Sequence, residues 1–337
     1  MRTLIITLLA FFLTIKLIGQ EDKIRELYVQ GTALHDQGKY DEAIEKYKAA
    51  LEIDENSPFV NYELSYTYMT VGNYDEALKF SRKAIEKASN AQEPAYMVLG
   101  NSLDLSKKPQ EAIKIYEEGL SKYPGSDLLN YNLAMTAYNI REYNKAEHAA
   151  IAAIRANPSH ASSHLVLANI MKAKGARVQA LLPLYYFLML EPDSKRSSTG
   201  LNMLHNLLIH GIEQRSKDTI NISLNSSLLE DSSFGAAEIS LSMAGAAKYT
   251  EGNKNKTDAE LFTETNKTWF STLGELKNNN SNLWWDLYVP RFYDLVQSNN
   301  DEAFSYYISQ SSNSSEIKDW ISKHNDKMKA FLEWLKK

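Results

Sequence analysis

The sequence predicts an all-α protein, and three observations carry that expectation. Small residues recur at Ala43, Ala77, Ala112, Ala146 and Ala180, spaced 34, 35, 34 and 34 positions apart. Apolar residues return at helical spacing between them, and glycines (Gly38, Gly72, Gly175) or prolines (Pro124, Pro158, Pro192) punctuate the segments. Beyond residue 233 the pattern is helical again, with Thr257 and Glu260 spaced as a capping pair. A period of this length is that of a helical hairpin too small to bury its own apolar face, so each copy stacks on the next. Stacked hairpins leave one long face free for a visitor.

The first element has the layout of a secretory signal. Arg2 supplies an early positive charge, an apolar run extends from Leu4 to Ile15, and Gly19 is a small residue before Gln20. The run is about 12 residues, and roughly 20 are needed to cross a bilayer. Residues 1–19 are therefore expected to be removed, giving an exported protein, periplasmic or secreted, with no stable membrane insertion afterwards. The bacterial Gram-negative periplasm is the expected compartment. Cysteine is absent, which excludes disulfides, thiolate metal sites, a cysteine nucleophile and a lipidated cysteine. The whole chain holds 37 basic and 42 acidic residues; losing Arg2 and Lys16 leaves 35 basic ones, a net charge near −7. That balance argues against a nucleic-acid partner.

The five units occupy residues 24–192. The first reads Leu27, Gly31, Leu34, Gly38, Tyr40, Ala43, Tyr47, Ala50, and the second Leu64, Tyr68, Gly72, Tyr74, Ala77, Ala84. The third gives Tyr96, Leu99, Gly100, Leu103, Ala112, Tyr116, Gly119 and Pro124. The fourth gives Leu133, Ala134, Tyr143, Ala146, Ala153 and Pro158; the fifth Leu167, Ala168, Gly175, Ala180, Phe187 and Pro192. In this register the chain resembles the tetratricopeptide repeats. Three positions depart from the family pattern: Lys107 and Pro109 stand where the third unit would have Gly and an aromatic, and Arg177 stands in that aromatic slot of the fifth. The resemblance implies a right-handed superhelix of about five helix pairs.

It also implies which residues line the free face. In this family the first helix of each unit presents a fixed set of positions. They fall on Arg25, Tyr28, Thr32, His35 and Asp36, then on Phe59, Tyr62, Tyr66, Met69 and Thr70. Met97, Asn101, Asp104 and Leu105 follow, then Leu128, Tyr131, Met135, Tyr138 and Asn139, and last Leu165, Asn169 and Lys172. The resulting surface of tyrosine, methionine and asparagine suits a peptide or partner helix, because tyrosine offers area with a polar tip and methionine adapts. Packing between units, or occupation by the chain's own second half, accounts for the same residues. Family members that clamp a terminal carboxylate use Lys and Arg here; Lys172 alone does not make that clamp.

Residues 200–337 form a helical C-terminal domain of no recognised family. Leu201, Leu204, Leu207, Leu208 and Ile212 recur at helical spacing, as an end-capping helix or as part of that domain. Thr219 to Asn225 alternates polar and apolar but has no evident partner strand, so it reads as a loop with an extended segment. Helices are expected over Ala236–Ala247, after Thr257, from Leu283 to Val296 around Pro290, and from Asn313 onward. All five tryptophans lie here: Trp269, Trp284, Trp285, Trp320 and Trp334.

Chemistry-bearing motifs are sparse. His160 and His164 have the spacing of a metal pair, but no Glu completes a metalloprotease arrangement. No nucleophile elbow, phosphate loop or dinucleotide fingerprint is present. The expectation is a non-enzymatic protein–protein interaction scaffold without metal or cofactor. Trp284, Trp285, Asp286 and Arg291 supply a different candidate, a carbohydrate-binding or catalytic cleft carried by the repeats. A subunit of an envelope assembly complex is a third.

Overall fold

A computed structural model describes residues 2–87, 93–216, 219–224, 234–276 and 281–337, and side chains from residue 19 onward. The side chains of the expected leader and Asn278–Asn280 of the expected linker lie outside the described residues. The chain divides into two compact units, 1–142 and 143–337. The division falls inside the fourth repeat.

The first unit holds seven helices: α1 (Arg2–Asp36), α2 (Tyr40–Ile53), α3 (Pro58–Thr70), α4 (Tyr74–Lys87), α5 (Glu93–Leu105), α6 (Pro109–Lys122) and α7 (Asp127–Asn139). Pro58 and Pro109 sit in first turns, where a missing N–H costs nothing. Ser126 caps α7 by accepting from the Leu129 amide at 3.0 Å. Asp41, Glu42, Asp75 and Glu76 place carboxylates at helix starts, against the positive end of the dipole. Each helix packs on the next, and the odd-numbered helices also touch one another in sequence. That is the consecutive pairing the repeats require.

The small-residue positions have a steric explanation. A Cβ built on Gly100 would lie 2.2 Å from the Tyr116 ring, and one on Gly31 would lie 2.6 Å from Tyr47. Both tyrosines are buried. Absence of a side chain on one helix thus admits the aromatic ring of its hairpin partner. Turns between paired helices need a left-handed residue: Gly38, Gly72 and Gly175 supply it with φ of 74°, 79° and 75°. Lys107 and Arg141 hold the same conformation, φ 63° and 65°, without that freedom.

The second unit begins with α8 (Tyr143–Ala156), α9 (Ala161–Ala173), α10 (Arg177–Leu190) and α11 (Lys195–Leu208). A hairpin of β1 (Ile212–Ser216) and β2 (Thr219–Ile222) comes next, with Ile212 opposite Ile222 and Gln214 opposite Ile220. Among the described residues six α-helices follow: α12 (Gly235–Ala246), α13 (Asp258–Glu275), α14 (Val289–Gln297), α15 (Asp301–Ile308), α16 (Ser315–Lys323) and α17 (Asn325–Leu335). The capping box of Thr257 and Glu260 is present in full. A π-turn over Trp284–Tyr288 runs into α14, so Pro290 falls in a first turn and does not break the segment.

Three sequence expectations are corrected. Thr219–Ile222 is a paired strand; its partner is the segment just upstream, whose polar face (Glu213, Arg215) hid the alternation. Ile212 consequently belongs to β1 and not to the stripe of α11. The helix expected from Asn313 starts after Ser314, because Asn313 is left-handed at φ 57°.

Helix α10 is buried on nearly every side. Tyr185 in its second half is ringed by Phe262, Trp269, Phe270, Phe292 and Phe304, with centroids 5.0–6.4 Å away. Its hydroxyl donates to Asn266 Oδ1. The second helix of the fifth repeat is therefore the central rod of the C-terminal core. Aromatic pairs of this kind contribute about 0.5–1.5 kcal/mol each beyond area burial.

Candidate partner-binding surface

Helix α3 shows how the free face is built. Val60, Leu64 and Tyr68 point into the core. Phe59, Tyr62 and Tyr66 recur at helical spacing on the opposite side, and Phe59 and Tyr66 are 63% and 38% exposed. A helix with apolar residues on both sides has one side more than the core consumes. Helix α7 repeats the design more weakly: Leu129 and Leu133 are buried, while Leu128 is 40% exposed and Tyr131, Met135 and Tyr138 are half-buried.

The structure places Tyr28, Tyr62, Met69, Met97, Asn101, Tyr131, Met135 and Tyr138 at half-buried positions of the first unit, with Tyr66 and Asn139 exposed. Asn169 (half-buried) and Lys172 (exposed) lie on α9 of the second unit. None of the twelve is buried. Asn101 accepts the Tyr116 hydroxyl at 2.6 Å, and Asn169 donates to the Leu165 carbonyl of its own helix at 2.9 Å.

Between α1 and α3 the side chains form a connected group. Tyr28 donates to Glu63 Oε1 at 3.2 Å. The Thr67 hydroxyl donates to the Glu63 carbonyl at 2.8 Å, so its oxygen accepts from His35 Nδ1, also at 2.8 Å. That assignment is set by the partners and leaves Nε2 of His35 as an acceptor. The His35 ring stacks on Tyr66 (5.0 Å), and Tyr66 lies nearly parallel to Tyr62 (6.4 Å, 10°). Burial lowers the His35 pKa, with Asp36 opposing, so the ring is neutral at neutral pH. Burial raises the Glu63 carboxyl above the usual range; the Tyr28 hydroxyl opposes this and Asp36 adds to it. Burial, assisted by Glu63, pushes the Tyr62 phenol up to about 12. Sequence reasoning passed over Glu63, since it lies between the presented positions, one turn from Phe59.

The tryptophan cleft is not assembled. Trp284 is buried and its Nε1 donates to the Gln179 carbonyl at 3.0 Å. Trp285 stacks on Phe234 at 5.3 Å. Asp286 is exposed and approaches Arg155 at 3.9 Å, whereas Arg291 lies over the Trp334 ring at 3.7 Å. Neighbours in sequence are thus committed to different packing partners, and Asp286 and Arg291 do not converge on one tryptophan ring. His160 and His164 are likewise engaged elsewhere. His164 is buried; Nε2 faces the Pro158 carbonyl at 2.9 Å and therefore donates, while Nδ1 accepts from Tyr288 at 2.8 Å. His160 Nδ1 meets Ser163 Oγ at 2.8 Å. Among the described residues no helix is long and apolar enough to cross a membrane.

Comparison with known proteins agrees with the geometry. Family models described as TPR repeat or tetratricopeptide repeat match residues 31–72, 60–89 and 131–185. The chain is 30% identical over 112 residues to small glutamine-rich tetratricopeptide repeat-containing protein 2 of Mycosarcoma maydis, covering 33% of this chain and 32% of that protein. It is 25% identical over 192 residues to the human protein O-mannosyl-transferase TMTC1, covering 56% and 22%. The chain therefore spans about a third and about a fifth of these relatives. Among solved structures it is similar to PilF of Pseudomonas aeruginosa, with TM-score 0.50 and 18% identity over 68% of this chain and 90% of that one. Hairpins in sequence, glycine–tyrosine contacts within them and three matching segments together show that this chain carries tetratricopeptide repeats, with its C-terminal residues outside the matched segments.

Proposed function

We propose that this protein is an exported, non-catalytic scaffold that captures a peptide or partner helix on the first helices of its repeats. The observation that carries the reading is the second apolar side of α3, where Phe59, Tyr62 and Tyr66 remain accessible opposite a filled core. Tyrosine and phenylalanine at such positions supply large contact area at low entropic cost. Specificity then comes from aromatic contacts and hydrogen bonds, since a carboxylate clamp is lacking. Panning a random peptide library on the wild type and on Tyr62→Ala/Tyr131→Ala tests it. Peptides selected on the wild type should bind the double variant about tenfold or more weakly, a loss of ~1.4 kcal/mol. Equal binding to both proteins rejects this face as the docking surface.

Export is supported by the leader pattern of Arg2, Leu4–Ile15 and Gly19. Residues 19–23 are exposed and, among the described residues, the first buried side chain is Leu27, so removal after Gly19 takes away none of the described core. N-terminal sequencing of the purified native protein should begin at Gln20; a chain beginning at Met1 rejects processing.

A further inference from the structure

We propose that the face shared by α1 and α3 receives a basic side chain of the bound segment, an arginine above all, seated on the tyrosine pair and held by Glu63. This rests on the docking reading above and adds the chemistry of the occupant. Three observations carry it. First, Tyr62 and Tyr66 lie nearly parallel and Tyr66 is open to solvent, so an aromatic platform exists for a planar cation. Second, Glu63 and Asp36 border that platform and neither forms an ion pair among the described residues; Glu63 is half-buried and receives only the Tyr28 hydroxyl from another side chain. Half-buried carboxylates without a counter-charge are costly, and burial holds Glu63 above its ordinary pKa with Asp36 adding to the strain. An incoming cation relieves both. Third, His35 donates through Nδ1 to Thr67 and burial lowers its pKa, so the stack itself contributes no positive charge at neutral pH. Arginine fits better than lysine, because a guanidinium stacks on a ring while donating two parallel hydrogen bonds to a carboxylate.

The test selects a random dodecapeptide phage library on the immobilised full chain, then measures selected peptides by fluorescence anisotropy. The expected result is enrichment of peptides bearing Arg or Lys beside apolar residues, with affinity falling as salt rises. Those peptides should bind Glu63→Gln and Tyr66→Ala about tenfold more weakly, and bind Glu45→Gln on α2 unchanged. Glu63→Gln still accepts from Tyr28, so the fold is retained, and circular dichroism verifies this. Selected peptides without basic residues, or basic peptides indifferent to both variants, overturn the inference while leaving the docking reading standing. A library that yields no wild-type binder overturns the docking reading itself, and this inference with it.

Discussion

Arg177 and Glu238 meet at 2.7 Å inside the second unit, each 5% exposed, so the fifth repeat is pinned to α12 by a buried ion pair. The arginine also donates to the His210 carbonyl at 2.7 Å. Burial lowers the Arg177 pKa and raises that of Glu238, and each charge opposes the other's shift. The departure from the repeat pattern at this slot is thereby explained: an aromatic ring would fill the place but leave Glu238 alone. Removing one partner of such a pair costs about 3–5 kcal/mol, whereas replacing both by apolar residues is near neutral. Arg177→Leu should lose that amount in urea unfolding followed by tryptophan fluorescence, and Arg177→Leu/Glu238→Leu should recover most of it. A single variant that loses under ~1 kcal/mol contradicts a dry, obligatory pair.

Gly100→Ala sets two effects against each other. Helix propensity favours Ala by about 1 kcal/mol. The new methyl meets the Tyr116 ring at 2.2 Å, and that ring is buried with its hydroxyl fixed on Asn101. Overpacking of this kind costs about 1–3 kcal/mol, so a net loss of roughly 1 kcal/mol is expected. Thermal unfolding by circular dichroism reads it; a higher Tm for the variant shows that the ring gives way.

At Lys107 and Arg141 the sign reverses. A left-handed residue with a Cβ costs about 1–2 kcal/mol, against an entropic penalty for Gly of roughly 0.5–1 kcal/mol. Lys107→Gly and Arg141→Gly should each stabilise the first unit by about 0.5–1 kcal/mol. Both side chains are exposed, so little packing is lost. Neutral or destabilising outcomes in the same melts refute the strain argument.

His164 predicts acid sensitivity of the second unit. Its burial lowers the imidazole pKa from 6.5 to about 4. The folded form resists a proton that the unfolded chain accepts. Stability is therefore complete above pH 6.5 and is lost as pH falls toward 4, by at most about 3 kcal/mol. His205, lowered by burial as well, acts in the same direction. The difference between wild type and His164→Gln isolates the one group: the variant should show a flatter dependence over this window. Identical slopes rule His164 out as the cause.

Much of the fold was legible because repetition multiplies a weak signal. Ala43 alone says little, but five small residues in register say that two helix backbones approach. The capping box at Thr257 was readable for a similar reason, since two residues at fixed spacing satisfy each other. The features that stayed hidden depend on distant partners. Strand β2 was invisible as a strand because its mate is short and polar on the outside. Trp284 and Arg291 looked like a cleft because sequence proximity says nothing of which core each side chain enters. Glu63 was overlooked because the family register counts presented positions and not the residue beside them. Tyr185 belonged, by period, to the array; only its five aromatic neighbours show that it anchors the C-terminal helices.

The burial of α10 bears on how this molecule is handled at the bench. An expression fragment ending at Pro192 preserves every repeat by count, yet it strips Tyr185 of Phe262, Trp269, Phe270, Phe292 and Phe304 at one stroke. Such a fragment carries a naked greasy helix at its terminus and invites aggregation. The C-terminal helices complete the burial of the last hairpin, and the two are to be produced together.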